Sequence, residues 1–413
     1  MDSTFFAGNR AAFAERMPDD SMAVFYSGIF HRDTNDQLVY PFSVDRNFYY
    51  FTGLDKDNMI LLFCKSAGST QTLLFIPPVD EAYERWTARM MRPEDASGIS
   101  GIGRVLYTYE FDRELDNRMF GSARTEKFFV FTNYAQMSEP PTLYSELARR
   151  LRITYPTLEI LDPMEILTEL RGSKKPEEVA EVKEAVDLTI GALTHTASLM
   201  KPGIAEYQIK AHYIHYLSMR GSAPRFRSVV AAGKNAAVLH YNEAGRITES
   251  DDMVLMDVGA MNHWYVSDLT RTFPVSGKFT ARQREVYDIV LEAHDIGLAA
   301  MRVGTTEYAV NREIKRFYGQ ALKAIGLIRD ESDVEKYYFH GSGHPIGLDL
   351  HDYRPLDRVF PENSLQTIEP GLYIPEWNRG IRIEDNILLT KDGAVNLSAD
   401  LPRTANDIEN MVG

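Results

Sequence analysis

Between Tyr337 and Asp352 the chain reads YYFHGSGHPIGLDLHD, which sets His340, His344 and His351 among glycines and closes on Asp352. The first two histidines have the spacing of a helical zinc-peptidase pair. That motif requires a regular helix and a glutamate beside the first histidine. Here Gly341, Ser342 and Gly343 fill the interval, so neither condition is met. A glycine-rich strand or loop whose backbone lies close to a site is the alternative. Taken alone, three histidines in such a stretch fit a solvated loop equally well.

Four carboxylates elsewhere change that balance. The segments VLMDVGA (254–260) and YVSDLTRTF (265–273) read as a hairpin carrying Asp257 and Asp268, and TIEPGLYI (367–374) and GIRIEDNILL (380–389) as a second carrying Glu369 and Glu384. Each acid stands among apolar residues, where an unpaired charge is costly to bury. One such residue is commonly an ion-paired structural carboxylate. Four on matched hairpins call for a cation, and four carboxylates with one imidazole balance two divalent ions. Oxygen-dominated ligation favours Mn²⁺ by ligand type, with Co²⁺ or Zn²⁺ also able to bind. Two ions about 3.5–4 Å apart can share a hydroxide and clamp a hydrolysis.

The elements that must position these groups fall into two parts. In residues 1–160, MAVFYSG (22–28), FYYFTG (48–53), MILLFC (59–64), TLLFI (72–76) and KFFVFT (127–132) read as buried strands. EAYERWTARM and LYSELARRL read as helices between them, and the alternation predicts a small mixed-sheet domain. GISGIG (98–103) resembles a dinucleotide fingerprint but does not run from strand into helix, so it reads as a loop. A boundary near 162–175 places domains at 1–165 and 166–413. Beyond it Ser173 is a candidate N-cap and Pro176 sits in the first turn of a helix. A second helix spans about 205–219, with His212 and His215 on its surface. MKPGIAEY (200–207) then matches MRVGTTEY (301–308) in Met, Gly, Glu and Tyr at the same spacing. Thr280 with Gln283 forms a capping box between them. Leu239-His240-Tyr241 parallels Leu350-His351-Asp352, which makes an internal duplication with two acidic halves facing one site.

Composition narrows the function classes. At 413 residues two domains are the natural prior. A formal charge of −14 argues against a nucleic-acid or anionic-membrane partner. The single cysteine, Cys64, excludes an internal disulfide and fits a reducing compartment. Neither a signal peptide nor a stretch approaching a membrane span is evident, so the cytoplasm is the expected location.

The ordered acids, the histidine stretch and VYPFSVDRNFYYFTG (39–53) together resemble the aminopeptidase P and prolidase branch of the "pita-bread" metallopeptidases over nearly the whole chain. The resemblance implies an α/β protein of α+β type. A small mixed-sheet amino-terminal domain would precede a pita-bread domain, whose curved, mostly antiparallel sheet is covered by helices with pseudo-two-fold duplication. It places the family's metal ligands on Asp257, Asp268, His344, Glu369 and Glu384, with Asp268 and Glu384 bridging both ions. It puts His240 and His351 beside the scissile carbonyl, His340 on the proline-side subsite and Glu369 at the nucleophile's proton. Arg382 would orient the ligand shell.

The implied activity is removal of an amino-terminal residue that precedes proline, by a metal-bridging hydroxide, in a homodimer or homotetramer. Prolidase, which takes only dipeptides, is the nearest alternative. A non-catalytic peptide-binding module, a methionine aminopeptidase and a creatinase-like enzyme are further ones. The amino-terminal domain counts against the methionine aminopeptidase, and the complete ligand set against the other two. Two departures stand out. Ser342 replaces a usual aliphatic residue, a change expected to affect only local packing. Ser43 follows Tyr40-Pro41-Phe42 where the family often has Arg, which leaves recognition by the amino-terminal domain open.

Overall fold

Apolar runs near the amino terminus build a mixed sheet in the computed structural model, which describes residues 1–31, 42–120, 125–132, 139–355 and 357–412. Val39, Tyr40 and Pro41 of the amino-terminal motif lie outside the described residues. The chain divides into two compact units, Met1–Leu170 and Arg171–Gly413.

In the first unit the strands are β1 (Ser21–Tyr26), β2 (Ile60–Ser66), β3 (Ser69–Ile76), β4 (Val105–Tyr107), β5 (Lys127–Phe129) and β6 (Glu159–Leu161). They lie in the order β4-β3-β2-β1-β5-β6. The β1–β2 and β2–β3 pairs are antiparallel, whereas β4, β5 and β6 join in parallel. Around the sheet run α1 (Ser3–Arg16), α2 (Arg46–Thr52), α3 (Glu81–Glu84), α4 (Pro93–Ser100), α5 (Phe111–Phe120) and α6 (Leu143–Thr154). Phe51 anchors the core, with ring centroids 5.2 Å from Phe13, 4.8 Å from Phe25 and 5.3 Å from Phe63.

Three local expectations are corrected here. FYYFTG is not a strand but most of α2, whose residues are all buried. Asp45 caps it by accepting from the Asn47 and Phe48 N–H groups, and Gly53 ends it at φ +68°. A short apolar run buried on every side has no periodicity to separate strand from helix. EAYERWTARM is helical only over the four residues of α3. The first residues of GISGIG close α4, and the loop begins at its C-cap, Gly101.

After α7 (Met164–Gly172), the second unit opens with the helix pair α8 (Pro176–Ala197) and α9 (Glu206–Ser218). Val182, Ala185, Val186, Thr189, Ala192 and Leu193 form the buried stripe of α8. Its N-cap is Lys175, not Ser173. The Glu178 carboxylate accepts from the Lys175 N–H at 3.0 Å, and the Ser173 hydroxyl instead donates to the Glu362 carbonyl. Next come β7 (Val229–Ala232), β8 (Met253–Val258), β9 (Met261–Asn262), β10 (Tyr265–Val266) and β11 (Leu269–Pro274). A second helix pair follows, α10 (Ala281–Ala300) and α11 (Glu307–Ala324), with the Thr280–Gln283 capping box in place. The chain ends with β12 (Ser364–Ile368), β13 (Gly371–Ile374), β14 (Arg379–Arg382), β15 (Asp385–Thr390), β16 (Gly393–Asn396) and α12 (Ala405–Met411).

All ladders of this unit are antiparallel: β11-β8-β7, β12-β15-β16, β13-β14 and β9-β10. A bridge between Thr270 and Glu384 ties the first ladder to the break between β14 and β15. The duplication is visible in the backbone. Gly203 and Gly304 both take positive φ, +87° and +85°. Their N–H groups bond to Thr248 and Phe360 carbonyls, and one helix of each pair starts three residues later.

A fully buried triad locks this arrangement. Arg271 donates to the Thr270 and Glu384 carbonyls at 2.9 and 2.8 Å and to the Asp385 carboxylate at 2.7 Å. The second Asp385 oxygen lies 3.1 Å from His294 Nε2. Burial pushes the Asp385 carboxyl up, but Arg271 and His294 outweigh it and hold it well below the usual range. A depressed folded value stabilises the protein above the unfolded pKa, about 3.9, and that contribution disappears as pH falls below it. Asp385→Ala, which leaves Arg271 buried without its counter-charge, should cost about 3–5 kcal/mol at neutral pH. Urea denaturation should find the gap from the parent protein narrowing between pH 5 and pH 3. An undiminished gap in acid would show that the carboxylate's charge is not the source.

Candidate metal centre

Three of the acids sit just outside strand ends, where side chains can turn inward without a ladder partner, and the fourth sits inside a ladder. Asp257 is in β8, opposite Thr270. Asp268 precedes β11, Glu369 lies between β12 and β13, and Glu384 between β14 and β15. The expected second hairpin is thus two successive ladders, broken at both acids. Asn386 fixes the Asp268 backbone from both sides: its side chain accepts from the Asp268 N–H at 3.0 Å and donates to the Asp268 carbonyl at 2.7 Å. The Thr270 hydroxyl donates to Glu384 at 2.6 Å.

The histidine stretch has no helix. It runs along β12, with the Thr367 N–H bonded to the His344 carbonyl and the Glu369 N–H to the Ser342 carbonyl. Gly343 is required by this approach, since a Cβ there would lie 2.1 Å from the Thr367 carbonyl oxygen. His344 Nδ1 is 3.1 Å from the Pro345 carbonyl, which can only accept. Nδ1 therefore donates to that carbonyl, which turns Nε2 inward. That Nε2 is 3.3 Å from an Asp268 oxygen and 3.9 Å from a Glu369 oxygen.

His240, Asp257, Asp268, His340, His344, His351, Glu369, Arg382 and Glu384 all line one cavity of about 420 Å³. Asp268, His344 and Glu384 form its tight centre, each offering a ligand atom within 4.8 Å of the others. Asp257 is ion-paired with Arg382. Arg382 also donates to the Tyr373 hydroxyl at 2.7 Å and to Thr270 at 3.1 Å. His340 Nδ1 faces the Gly341 carbonyl, and the Tyr373 hydroxyl meets its Nε2 at 3.0 Å. The His344 and His351 rings meet edge to face at 4.3 Å.

Asp352 is not in the cavity wall. It is buried against Arg171 at 2.7 Å and Lys174 at 3.1 Å, a structural ion cluster beneath the histidine stretch. Tyr373, Thr270, Asn386 and Thr367 support the site without having been singled out in the sequence. Tyr373 alone had a signal, as the polar-tipped residue of TIEPGLYI. The others are ordinary strand residues until the ladders are known.

Without a metal this cavity is electrostatically uncomfortable. Burial, then repulsion from Asp257 and Glu369, pushes Asp268 well above the usual carboxylate range. Glu384 is raised likewise by burial and by Asp268, Glu369 and Asp257. Glu369 is raised mainly by burial. Burial, with Arg382 adding, lowers His340 to about 4, and burial with His344 and His240 lowers His351. Asp268 Oδ1 is buried with no hydrogen-bond partner. An acceptor left orphaned among raised carboxylates, on a carboxylate whose other oxygen lies 3.3 Å from His344 Nε2, fits a divalent cation.

Relatives place the chain. A model described as metallopeptidase family M24 matches residues 180–391, and one described as the aminopeptidase P N-terminal domain matches residues 6–127. The Xaa-Pro aminopeptidase of Haemophilus influenzae is 32% identical over 97% of this chain and 95% of its own length. The structure of Escherichia coli aminopeptidase P with the inhibitor Pro-Leu is similar with a TM-score of 0.91 at 29% identity, covering 100% of this chain and 98% of that one. A zinc-substituted form of that enzyme with product is similar with a TM-score of 0.90, at the same identity and coverage. The chain belongs to metallopeptidase family M24, in its aminopeptidase P branch.

The raised carboxylates fix the sign of a pH effect. A raised folded pKa adds stability that is complete below the unfolded value, about 4, and is lost as pH rises through the folded one. In chelator, the melting temperature should fall as pH is raised from 5 to 8. A divalent metal at 100 times its Kd should restore about 2.7 kcal/mol. A chelated protein indifferent to both pH and metal would contradict a preformed cation site.

Proposed function

We propose that this protein is a metal-dependent exopeptidase that hydrolyses the bond between an amino-terminal residue and a following proline. The observation that carries the reading is the meeting of four carboxylates and four histidines from both halves of the duplicated unit in one cavity. Family membership supports it, as do relatives named Xaa-Pro aminopeptidase. In this reading Asp257, Asp268, His344, Glu369 and Glu384 hold two divalent ions, with Mn²⁺ the favoured pair by ligand type. When bound, the ions supply Lewis acidity and a strong nucleophile at neutral pH.

The remaining roles belong to the chain. His351, whose basicity burial lowers, can offer a hydrogen bond with little added charge, whereas His340 already spends Nδ1 on the Gly341 carbonyl and Nε2 on the Tyr373 hydroxyl. His351 and His240 would hold the scissile carbonyl and its developing oxyanion, where positioned donors act most strongly. A bond before proline is a tertiary amide with no N–H to recognise, and its nitrogen must gain a proton to leave. Glu369, in the wall of the same cavity, would take a proton from the attacking water and return it to that nitrogen. His340, packed against Phe339 and Tyr373, would form the wall for the pyrrolidine ring. Arg382, tied to Asp257 and Tyr373, would hold the acids in place. Residues 1–165 and 166–413 would divide the work, the first as an accessory domain and the second as the catalytic one. A homodimer or homotetramer is the proposed assembly and the cytoplasm the proposed location. No helix among the described residues is long and apolar enough to cross a membrane.

Release of glycine from Gly-Pro-Xaa and of proline from Gly-Pro, measured with Mn²⁺ and with chelator, tests the activity. Metal-dependent cleavage of the tripeptide is the expected result. Cleavage of the dipeptide alone would make the enzyme a prolidase, and silence on both with metal bound would refute the proline assignment. At saturating metal Glu369→Gln should lower kcat about 10²–10⁴-fold, and steady-state kinetics that place the loss in KM instead would remove Glu369 from proton transfer.

A further inference from the structure

The two matched segments of the duplication carry a glutamate that the chemistry above does not use. Glu206 and Glu307 are the first residues of α9 and α11, where a negative charge suits the helix dipole. Glu206 is fully buried. One of its oxygens accepts from the Ala232 N–H at 2.7 Å and the Asn235 side-chain amide at 3.0 Å. The other accepts from the Arg246 N–H at 2.8 Å and the Tyr241 hydroxyl at 3.0 Å. A single carboxylate thus gathers both ends and the middle of the segment 232–246, and Tyr241 is the neighbour of His240.

Glu307 does the same in the other half. Its Oε1 accepts from the Ser342 N–H at 2.8 Å and lies 3.3 Å from the Ser342 hydroxyl. Ser342 is midway between His340 and His344, and its carbonyl accepts from the Glu369 N–H at 2.9 Å. Ser342 is therefore more than a packing change: its hydroxyl gives Glu307 a second donor where an aliphatic side chain has none. Gly341 leaves room for the contact, since a Cβ there would be 2.8 Å from the same glutamate oxygen.

We propose that Glu206 and Glu307 are a duplicated pair of positioning residues, Glu206 fixing the segment that carries His240 and Glu307 the one that carries His340 and His344. The inference rests on the proposed peptidase reading for why those histidines matter. The hydrogen-bond pattern itself does not depend on it. An equivalent helix start in each half reaches across to a largely irregular segment, the first continuing from the end of β7 and the second held to β12 by a few backbone bonds. Backbone and side-chain donors converge on a carboxylate because one oxygen can accept two bonds.

Glu206→Gln and Glu307→Gln keep the shape but turn one acceptor into a donor facing donors. Hydrogen exchange read by mass spectrometry on the metal-loaded enzyme should show faster exchange in 232–246 for the first variant and in 338–345 for the second, each sparing the other segment. On a Gly-Pro-Xaa peptide each variant should lose about 10- to 100-fold in kcat, the scale of a roughly 1 Å misplacement. Glu206→Gln should cost little further in a His240→Ala background, because the two act through one group. Loosening spread over both segments, or losses that simply multiply in the double variant, would overturn the proposal in favour of general destabilisation. If Glu206→Gln does not fold, Glu307→Gln and Ser342→Ala at the half-buried site decide the same question. A parent enzyme that cleaves no Xaa-Pro peptide would refute the functional reading, while the exchange map would still decide the positioning role.

Discussion

Mutual repulsion among buried carboxylates is the constraint around which the carboxy-terminal unit is built. Asp268, Glu369 and Glu384 are each raised by burial, and like charges push Asp268 and Glu384 further. A fold can keep such a cluster by gripping the acids with neighbouring side chains. Asn386 grips Asp268 by its backbone, Thr270 grips Glu384 by its side chain, and Arg382 grips Asp257 by charge. These grips differ in chemistry but share a location on the strand facing the acid. Asp268, Glu369 and Glu384 occur where ladders break, because a residue at a break can be aimed, while Asp257 stays in register within β8 and is held by its ion pair.

The duplication explains how one chain assembles such a site from segments far apart in sequence. Each half contributes a helix pair, a glycine of positive φ before the second helix, and a strand pair bearing two acids. The halves meet at the Thr270–Glu384 bridge, and Arg271 crosses the same seam to the Glu384 carbonyl. Small displacements at that seam would change the spacing between Asp268 and Glu384. It is therefore no surprise to find it closed by a fully buried, ion-paired triad rather than by apolar packing alone, because directional bonds fix distances that hydrophobic contact leaves loose.

Much of this was legible in the sequence because the residues that do the chemistry are also the ones that break composition rules. Acids in apolar strands and histidines among glycines stand out without any structure. The four acids and three histidines that stand out in this way line one cavity together with His240 and Arg382, which the family resemblance added. The grips were invisible. Thr270, Asn386 and Thr367 are unremarkable in composition, and only strand register brings them to the acids. Local structure failed where burial erased periodicity: FYYFTG is equally apolar on every face, so its helical state is decided by Asp45 and Gly53 at its ends. Ser173 lost its expected capping role to the Lys175 backbone and Glu178 because its hydroxyl found the Glu362 carbonyl, a partner remote in sequence.

The charge inventory behind the cavity bears on why metal is needed at all. Arg271 is close enough to matter, yet its charge is matched by Asp385, so it orients Glu384 without neutralising it. Burial lowers the basicity of His340, to about 4, and of His351, so they favour the uncharged form. Among the described residues, Arg382 is the guanidinium that reaches the inner acids, and its ion pair is with Asp257. One cation against four carboxylates leaves a deficit that protons can meet in the metal-free protein and that divalent ions would meet in the loaded one. Protons, however, would consume the lone pairs that the surrounding donors so carefully leave open. The arrangement is therefore better adapted to exchanging protons for metal than to staying protonated, and the coupling of metal uptake to proton release follows from where Arg271 spends its charge.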